Sequence, residues 1–283
     1  MNLSWAVPTP LEYFASLVQS DADFPLLEAA LSLAQDEYPA LDAQQVLGEV
    51  DQLLARLKRR VPADATPLQK LRAVNQFFFR DLSFAGNVNH YYDPGNSYVN
   101  VILQTRRAIP VTLAVVWLEL AQGLGLTARG IGFADHFMLK VTLPNGQVVI
   151  DPLNGQSLSL EDLVERLAPH RHGGGMPDEL DVPLGLYLQA AAPRDIIARM
   201  LRNLKEIHTS QEDWPRLIAV QNRLIVLLPQ AWSEYRDRGL AQAAAGNAGP
   251  ALEDLETYLV NTQESLDMAA IVSRVDELRR ANS

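Results

Sequence analysis

The chain has 283 residues, 48% of them hydrophobic and 20% charged, a balance that supplies one large globular core or two ordinary ones. Its formal charge of −10, from 24 basic and 34 acidic side chains, repels phosphate backbones and argues against nucleic acid as a partner. It contains no cysteine, which excludes disulfides, thiolate-held zinc or iron–sulfur centres and any thiol nucleophile.

Met1 leads into Asn2-Leu3-Ser4-Trp5 without a basic segment or an apolar run, so no signal peptide is expected. No apolar stretch approaches membrane-spanning length, and the expectation is a cytoplasmic protein with no membrane partner. The first eighty residues read as helices. Leu11, Phe14, Ala15 and Val18 form one apolar stripe, and Leu26, Leu27, Ala30, Leu31 and Ala34 another. Asp42 is placed to cap a third helix that buries Val46, Val50, Leu53, Leu54 and Leu57. Thr66-Pro67 opens a fourth through Leu68, Leu71, Val74, Phe77 and Phe78. After a polar, aromatic loop from Gly86 to Pro94, Asn96 or Ser97 is expected to cap a helix through Val99, Ile102 and Leu103.

The period then changes. Ile109-Pro110 starts a helix, Val111 to Gln122, that is apolar nearly all round and so expected to be buried; Gly123 and Gly125 end it. Strand-like runs follow at Thr127 to Phe133, Phe137 to Leu143 and Gln147 to Ile150, with Pro144-Asn145-Gly146 as a hairpin turn between the last two. A buried helix followed by an antiparallel meander predicts an α+β domain, mostly helical with a small antiparallel sheet. Leu158 to Leu167 forms one more helix ending at Pro169, and the segment from His170 to Pro177 reads as loop. The domain boundary is expected near Asp181, giving residues 1–181 and 182–283.

From Leu184 onward the pattern is helical and rich in Ala and Leu, and resembles tetratricopeptide repeats, whose helical hairpins bury their faces only by stacking. Gly239 and Ala251 stand twelve apart, as that repeat requires, while Gln242 and Gln263 depart from it. Such helices are interaction surfaces, which favours a protein or peptide partner. Three basic clusters, Lys58-Arg59-Arg60, Arg106-Arg107 and Arg279-Arg280, fall at predicted helix ends, where cations complement the dipole.

Thr112 lies in the first turn of the buried helix, His136 opens a strand and Asp151 ends the next. Each has a plain structural reading: Thr112 caps its helix, His136 is a core histidine and Asp151-Pro152 is a strand-end turn. Together their order resembles the transglutaminase-like (papain-type) superfamily, where a Cys at a helix N-terminus is served by a His and an Asp on successive strands. A helix N-terminus stabilises a thiolate, the His is the base, and the carboxylate orients it. More narrowly, four strings resemble the bacterial SirB family, a transglutaminase-like domain followed by TPR-like helices. They are Tyr92-Asp93-Pro94-Gly95-Asn96-Ser97, Arg107-Ala108-Ile109-Pro110-Val111-Thr112-Leu113, Gly132-Phe133-Ala134-Asp135-His136-Phe137 and Ile150-Asp151-Pro152-Leu153-Asn154-Gly155. Ala108 stands where that family usually has Gly, and Ala134 where it has Pro.

The resemblance implies that the nucleophile position carries a hydroxyl, Thr112, as the SirB family generally does with Ser or Thr. A secondary alcohol is not ionised by a helix dipole and an imidazolium, and threonine nucleophiles rely on a free terminal amine that an internal residue lacks. The expected function is therefore a non-catalytic domain that binds a peptide, protein or small ligand. The alternative is a hydroxyl-dependent amidase, peptidase or acyltransferase using Thr112, His136 and Asp151, and a third reading is a scaffold whose cleft is filled from within. Metal binding by Asp135, His136 and Asp151, or by His90, His170 and His172, is disfavoured. No phosphate-binding glycine loop precedes a helix, and no cofactor is expected.

Overall fold

A computed structural model describes residues 8–133, 136–171, 183–262 and 265–281. In chain order the described helices and strands are α1 (Pro10–Leu17), α2 (Leu26–Ser32), α3 (Ala43–Lys58), α4 (Pro67–Asn75), β1 (Ala85–Gly86), α5 (Val99–Thr105), β2 (Arg107–Ala108), α6 (Pro110–Gly123), β3 (Thr127–Phe133), β4 (His136–Leu143), β5 (Gly146–Ile150), β6 (Ser157–Leu158), α7 (Leu160–Arg171), α8 (Leu184–Tyr187), α9 (Pro193–Ser210), α10 (Trp214–Leu227), α11 (Trp232–Ala244), α12 (Ala248–Asn261) and α13 (Met268–Ala281). The α+β character is as the sequence leads one to expect: a helical chain with one small antiparallel sheet. The chain forms two compact units, Pro25–Ile197, and Met1–Phe24 together with Ala198–Ser283. Asp181 lies outside the described residues.

Local chemistry sets most helix starts. Thr9 and Thr66 each form a reciprocal capping box, with Glu12 and Gln69 respectively, ahead of a proline at the first helical position. Asp42 accepts from the Gln44 and Gln45 amides. The start of α5 departs from the expected cap. Tyr98 occupies that place without a side-chain bond, while the Asn96 amide donates to the His90 and Tyr91 carbonyls and its oxygen accepts from Asn87. Asn96 thus folds the preceding aromatic loop instead of opening the helix. After α4 the chain widens into a π-helical turn over Gln76–Asp81. Helix α7 runs to Arg171, past Pro169, because a proline in the final turn removes a single backbone bond.

In the Pro25–Ile197 unit, β3, β4, β5 and β6 form an antiparallel sheet in sequence order, with Ile131 opposite Met138 and Leu139 opposite Ile150. The turn between β4 and β5 is the expected one, Pro144-Asn145, with Leu143 paired to Gly146. Alternation divides the sheet's side chains between two faces. Ile131, Phe133, Met138 and Val149 pack with Leu163 and Leu167 of α7 and with Leu184, Tyr187 and Leu188. Ala128, Phe137, Leu139, Val141 and Ile150 are left for the opposite face, where α6 packs against β3 and β4. Helix α6 is buried along almost its whole length, as its uniformly apolar sequence demands. A two-stranded parallel pair, β1 with β2, sits at its N-terminal end.

In the other unit α1 packs against α10, and α10 through α13 stack in succession as antiparallel hairpins. Gly239 permits the approach of α11 to α12: a Cβ there would lie 2.8 Å from Leu255 Cδ2. A forked pair between Arg238 and Asp254 (2.7 and 2.6 Å) ties the same two helices, and Arg238 also donates to Asn222 on α10. The Ser265 and Tyr258 hydroxyls, with Arg236, hold the Asp267 carboxyl down at about 2.

Candidate functional site

Pro110 fixes the first turn of α6, whose N-cap is Ile109, so Thr112 is not the cap. Its side chain is fully enclosed, and Oγ1 has no hydrogen-bond partner among the described residues. The hydroxyl is therefore not spent on helix initiation. An unmade hydrogen bond at a buried hydroxyl costs on the order of 1–3 kcal/mol, which a plain core position would avoid with valine.

Asp151 follows β5 directly and is 7% exposed. Its carboxylate is doubly engaged: Oδ1 accepts from the Leu153 amide at 3.0 Å, and Oδ2 receives Arg166 Nη1 of α7 at 3.1 Å. The turn that carries it is closed by the Gly155 amide donating to the Asp151 carbonyl. Gly155 is at φ +76, with Phe79 Cδ2 only 2.3 Å from where a Cβ would be, so neither the backbone nor the space admits a side chain. Arg166 gave no sign in the sequence; it is one charged residue of an amphipathic helix.

His136 is exposed at the first position of β4, opposite Phe133. The antiparallel register gives it the parity of Met138, and Asp151, one residue past Ile150, shares that parity. His136 and Asp151 thus belong to one end and one face of the sheet, the face that α7 covers, whereas α6 lies on the other. The α6 start is tied to the same end through the backbone: Asn87 N–H bonds the Ala108 carbonyl, and Gly86 N–H bonds the Leu153 carbonyl. The chain brings three segments to one end of the sheet. Among the described residues no hydrogen bond or ion pair joins any two of Thr112, His136 and Asp151.

Beyond Gly86, Val88, Tyr91 and Tyr92 are exposed, the two rings meeting edge to face at 5.4 Å. His90 is also exposed, and its backbone carbonyl takes the Asn96 amide. Two further buried polar atoms near α5, Ser97 Oγ and Asn100 Oδ1, have no hydrogen-bond partner among the described residues; the sequence marked Ser97 as a candidate helix cap and gave no sign of Asn100. Asp135, His172 and the Gly173 to Pro177 run lie outside the described residues. Among the described residues no group of three acidic or histidine side chains is placed to hold a metal ion, and no helix is long and apolar enough to cross a membrane.

Replacing Arg166 with alanine strands a carboxylate that is nearly buried. Because the guanidinium is 33% exposed, solvent screens part of the loss. The expected cost is about 1–2 kcal/mol in urea unfolding. A change below about 0.5 kcal/mol would mean that the pair contributes nothing measurable.

Comparison with known proteins matches this architecture. The family model described as Transglutaminase-like superfamily matches residues 44–202, and one described as Tetratricopeptide repeat matches residues 204–276. A UPF0162 protein of Xylella fastidiosa (strain Temecula1) is 38% identical over 84% of this chain and 84% of its own length. The Pseudomonas aeruginosa UPF0162 protein is 28% identical over 89% and 90%, and Escherichia coli YchA 24% over 87% and 92%. Among solved structures, a crystal structure of menin aligns with a TM-score of 0.41 and 11% identity, over 93% of this chain and 72% of that one, a likeness too slight to carry a shared site.

Proposed function

This chain belongs to the transglutaminase-like superfamily, among the UPF0162 (SirB-type) proteins, and from that premise we propose that it binds a peptide, protein or small ligand without catalysing a reaction on it. The observation that carries the reading is the state of Thr112, a hydroxyl with 0% exposure and no hydrogen-bond partner among the described residues. A nucleophile must meet both its base and the carbonyl it attacks. This one has no hydrogen bond to His136 among the described residues and no exposure to solvent. The carboxylate that would orient the imidazole is committed to Arg166 and the Leu153 amide. On this reading the chain keeps Thr112, His136 and Asp151 at the superfamily's three positions with no hydrogen bond joining any two of them among the described residues.

For binding, the support is twofold. The exposed Val88, Tyr91 and Tyr92 present apolar and phenolic surface at the segment joined to the Asp151 turn, the amphipathic chemistry that favours peptide side chains. The tetratricopeptide helices are a second surface of the kind that holds extended or helical segments.

The chemical test uses the hydroxyl itself. A fluorophosphonate probe is expected to leave the protein unlabelled. In a Thr112→Cys variant the thiol is expected to react with a thiol reagent at least roughly 100-fold more slowly than in denaturant, as an enclosed side chain does. Labelling of the parent protein that disappears in Thr112→Val would instead establish the hydroxyl-dependent hydrolase or acyltransferase. A thiol in the Thr112→Cys variant that titrates below about 8.5 would show that the imidazole and the helix N-terminus act on position 112, while an ordinary thiol pKa there would mean that the three residues are not assembled. Screening a peptide library by fluorescence anisotropy, against the parent protein and a Tyr91→Ser/Tyr92→Ser variant, tests the aromatic surface: peptides that bind are expected to lose affinity roughly tenfold.

A further inference from the structure

The sequence placed basic residues at the ends of α3 and α5 and assigned them to the helix dipoles. The fold sets each of these two helix ends against a buried aromatic ring of the segment from Phe77 to Phe84. Arg56 and Arg60 of the α3 end lie over Phe77, at 5.7 and 4.9 Å, and Arg106 lies over Phe84 at 4.7 Å. Phe84 in turn stacks on Phe78 at 4.2 Å with the planes 7° apart. Phe77, Phe78 and Phe84 are almost fully buried, so the guanidinium groups rest on a rigid floor.

Their pairing differs. Arg60 is bonded to Asp81, and Arg107 donates to the Ser83 and Arg106 carbonyls. Arg56 is exposed, and Arg106 is half-buried with Nη1 enclosed and without a hydrogen-bond partner among the described residues. Burial first, and the charge of Arg56 second, hold the Arg106 pKa below its ordinary value, while Glu49 pulls the other way without reaching ion-pair distance. The backbone adds an independent point. Arg106 is the C-cap of α5 at φ 60, ψ 19, a left-handed position where glycine is the default and a side chain is disfavoured. A helix dipole explains a cation near this end. It does not explain a strained backbone, an enclosed N–H without an acceptor and two neighbouring guanidiniums without a bonded carboxylate among the described residues.

We propose that Arg56 and Arg106, on the Phe77 and Phe84 rings, form a binding site for a phosphate group, either the free ion or a small phosphomonoester. A phosphate dianion matches two neighbouring guanidiniums that no carboxylate neutralises among the described residues. The inference does not rest on the reading of Thr112.

Calorimetric titration at low ionic strength, with inorganic phosphate and with phosphoserine in separate experiments, tests the site. Saturable one-to-one binding is expected, and whichever of the two binds more tightly distinguishes the free ion from the monoester. In Arg106→Gly the affinity should fall at least roughly tenfold, while stability without phosphate holds or rises, because glycine takes φ 60 freely. Arg56→Gln should weaken binding severalfold and serves as the second variant should Arg106→Gly fold poorly. Glu49→Gln should strengthen it by removing the local negative charge. No saturable response to either ligand in the parent protein, or affinity unchanged in both arginine variants, would overturn the proposal.

Discussion

Phe14→Ala is expected to cost about 3–5 kcal/mol and to strip hydrogen-exchange protection from a helix some two hundred residues away in sequence. Phe14 is fully buried, and its helix α1 packs against α10, with the Arg223 guanidinium 5.7 Å from the ring centroid. Truncating the ring removes a large apolar surface and leaves a cavity that a one-helix contact cannot easily close. The loss should appear as faster exchange of the amides in residues 214–227, read by mass spectrometry after native-state labelling. Exchange unchanged in that stretch would mean that the first helix does not belong to the C-terminal unit.

A comparable loss is expected for Trp117→Ala, at the middle of α6. The indole is fully buried, and its Nε1 donates to Asn75 Oδ1 at 3.0 Å. Two effects combine: the cavity, about 3–5 kcal/mol, and the Asn75 acceptor left without its donor, about 1–3 kcal/mol. They share one site and will not add fully. Trp117→Phe separates them, since it keeps most of the apolar volume and loses the bond; about 1–3 kcal/mol is expected for it. Urea unfolding of both variants checks the pair. If phenylalanine costs as much as alanine, the hydrogen bond rather than the packing dominates at this position, contrary to the burial of nearly every residue along that helix.

The elements that the sequence announced are those set by short-range chemistry. Thr66-Pro67 and Asp42 cap where their side chains reach the next amides. The Pro144-Asn145 turn fixes the hairpin register, and the continuous apolar run of α6 has nowhere to go but the core. The misjudged start of α5 has the same physical root. Asn96 is chemically able to cap, yet its amide is taken by carbonyls of the loop before it, a competition between bonds of similar strength that no local pattern resolves. The tetratricopeptide region was legible because its Gly239-to-Ala251 spacing records one close approach between consecutive helices.

At the candidate site, the sequence supplied the identity and order of Thr112, His136 and Asp151, and with them the resemblance to the superfamily. Their positions follow from element type: a helix start and two strand ends. Their bonding does not. Whether Asp151 meets His136 or Arg166 depends on which helix covers its face of the sheet, and that is a matter of packing between segments far apart in sequence. The same holds for Arg106, read from the sequence as a helix end, and Arg56, which the sequence did not single out: only packing brings their charges near each other.

What the sequence determined by itself, then, is whatever a few neighbouring residues decide through covalent geometry and hydrophobic period: helices, strands, turns, the alcohol at position 112 and the absence of any thiol. Only the tertiary structure decided which side chains share a surface, because burial and pairing are settled by contacts across long stretches of chain. There, the enclosure of one hydroxyl and the pairing of one carboxylate with Arg166 are the contacts on which the proposed binding role rests.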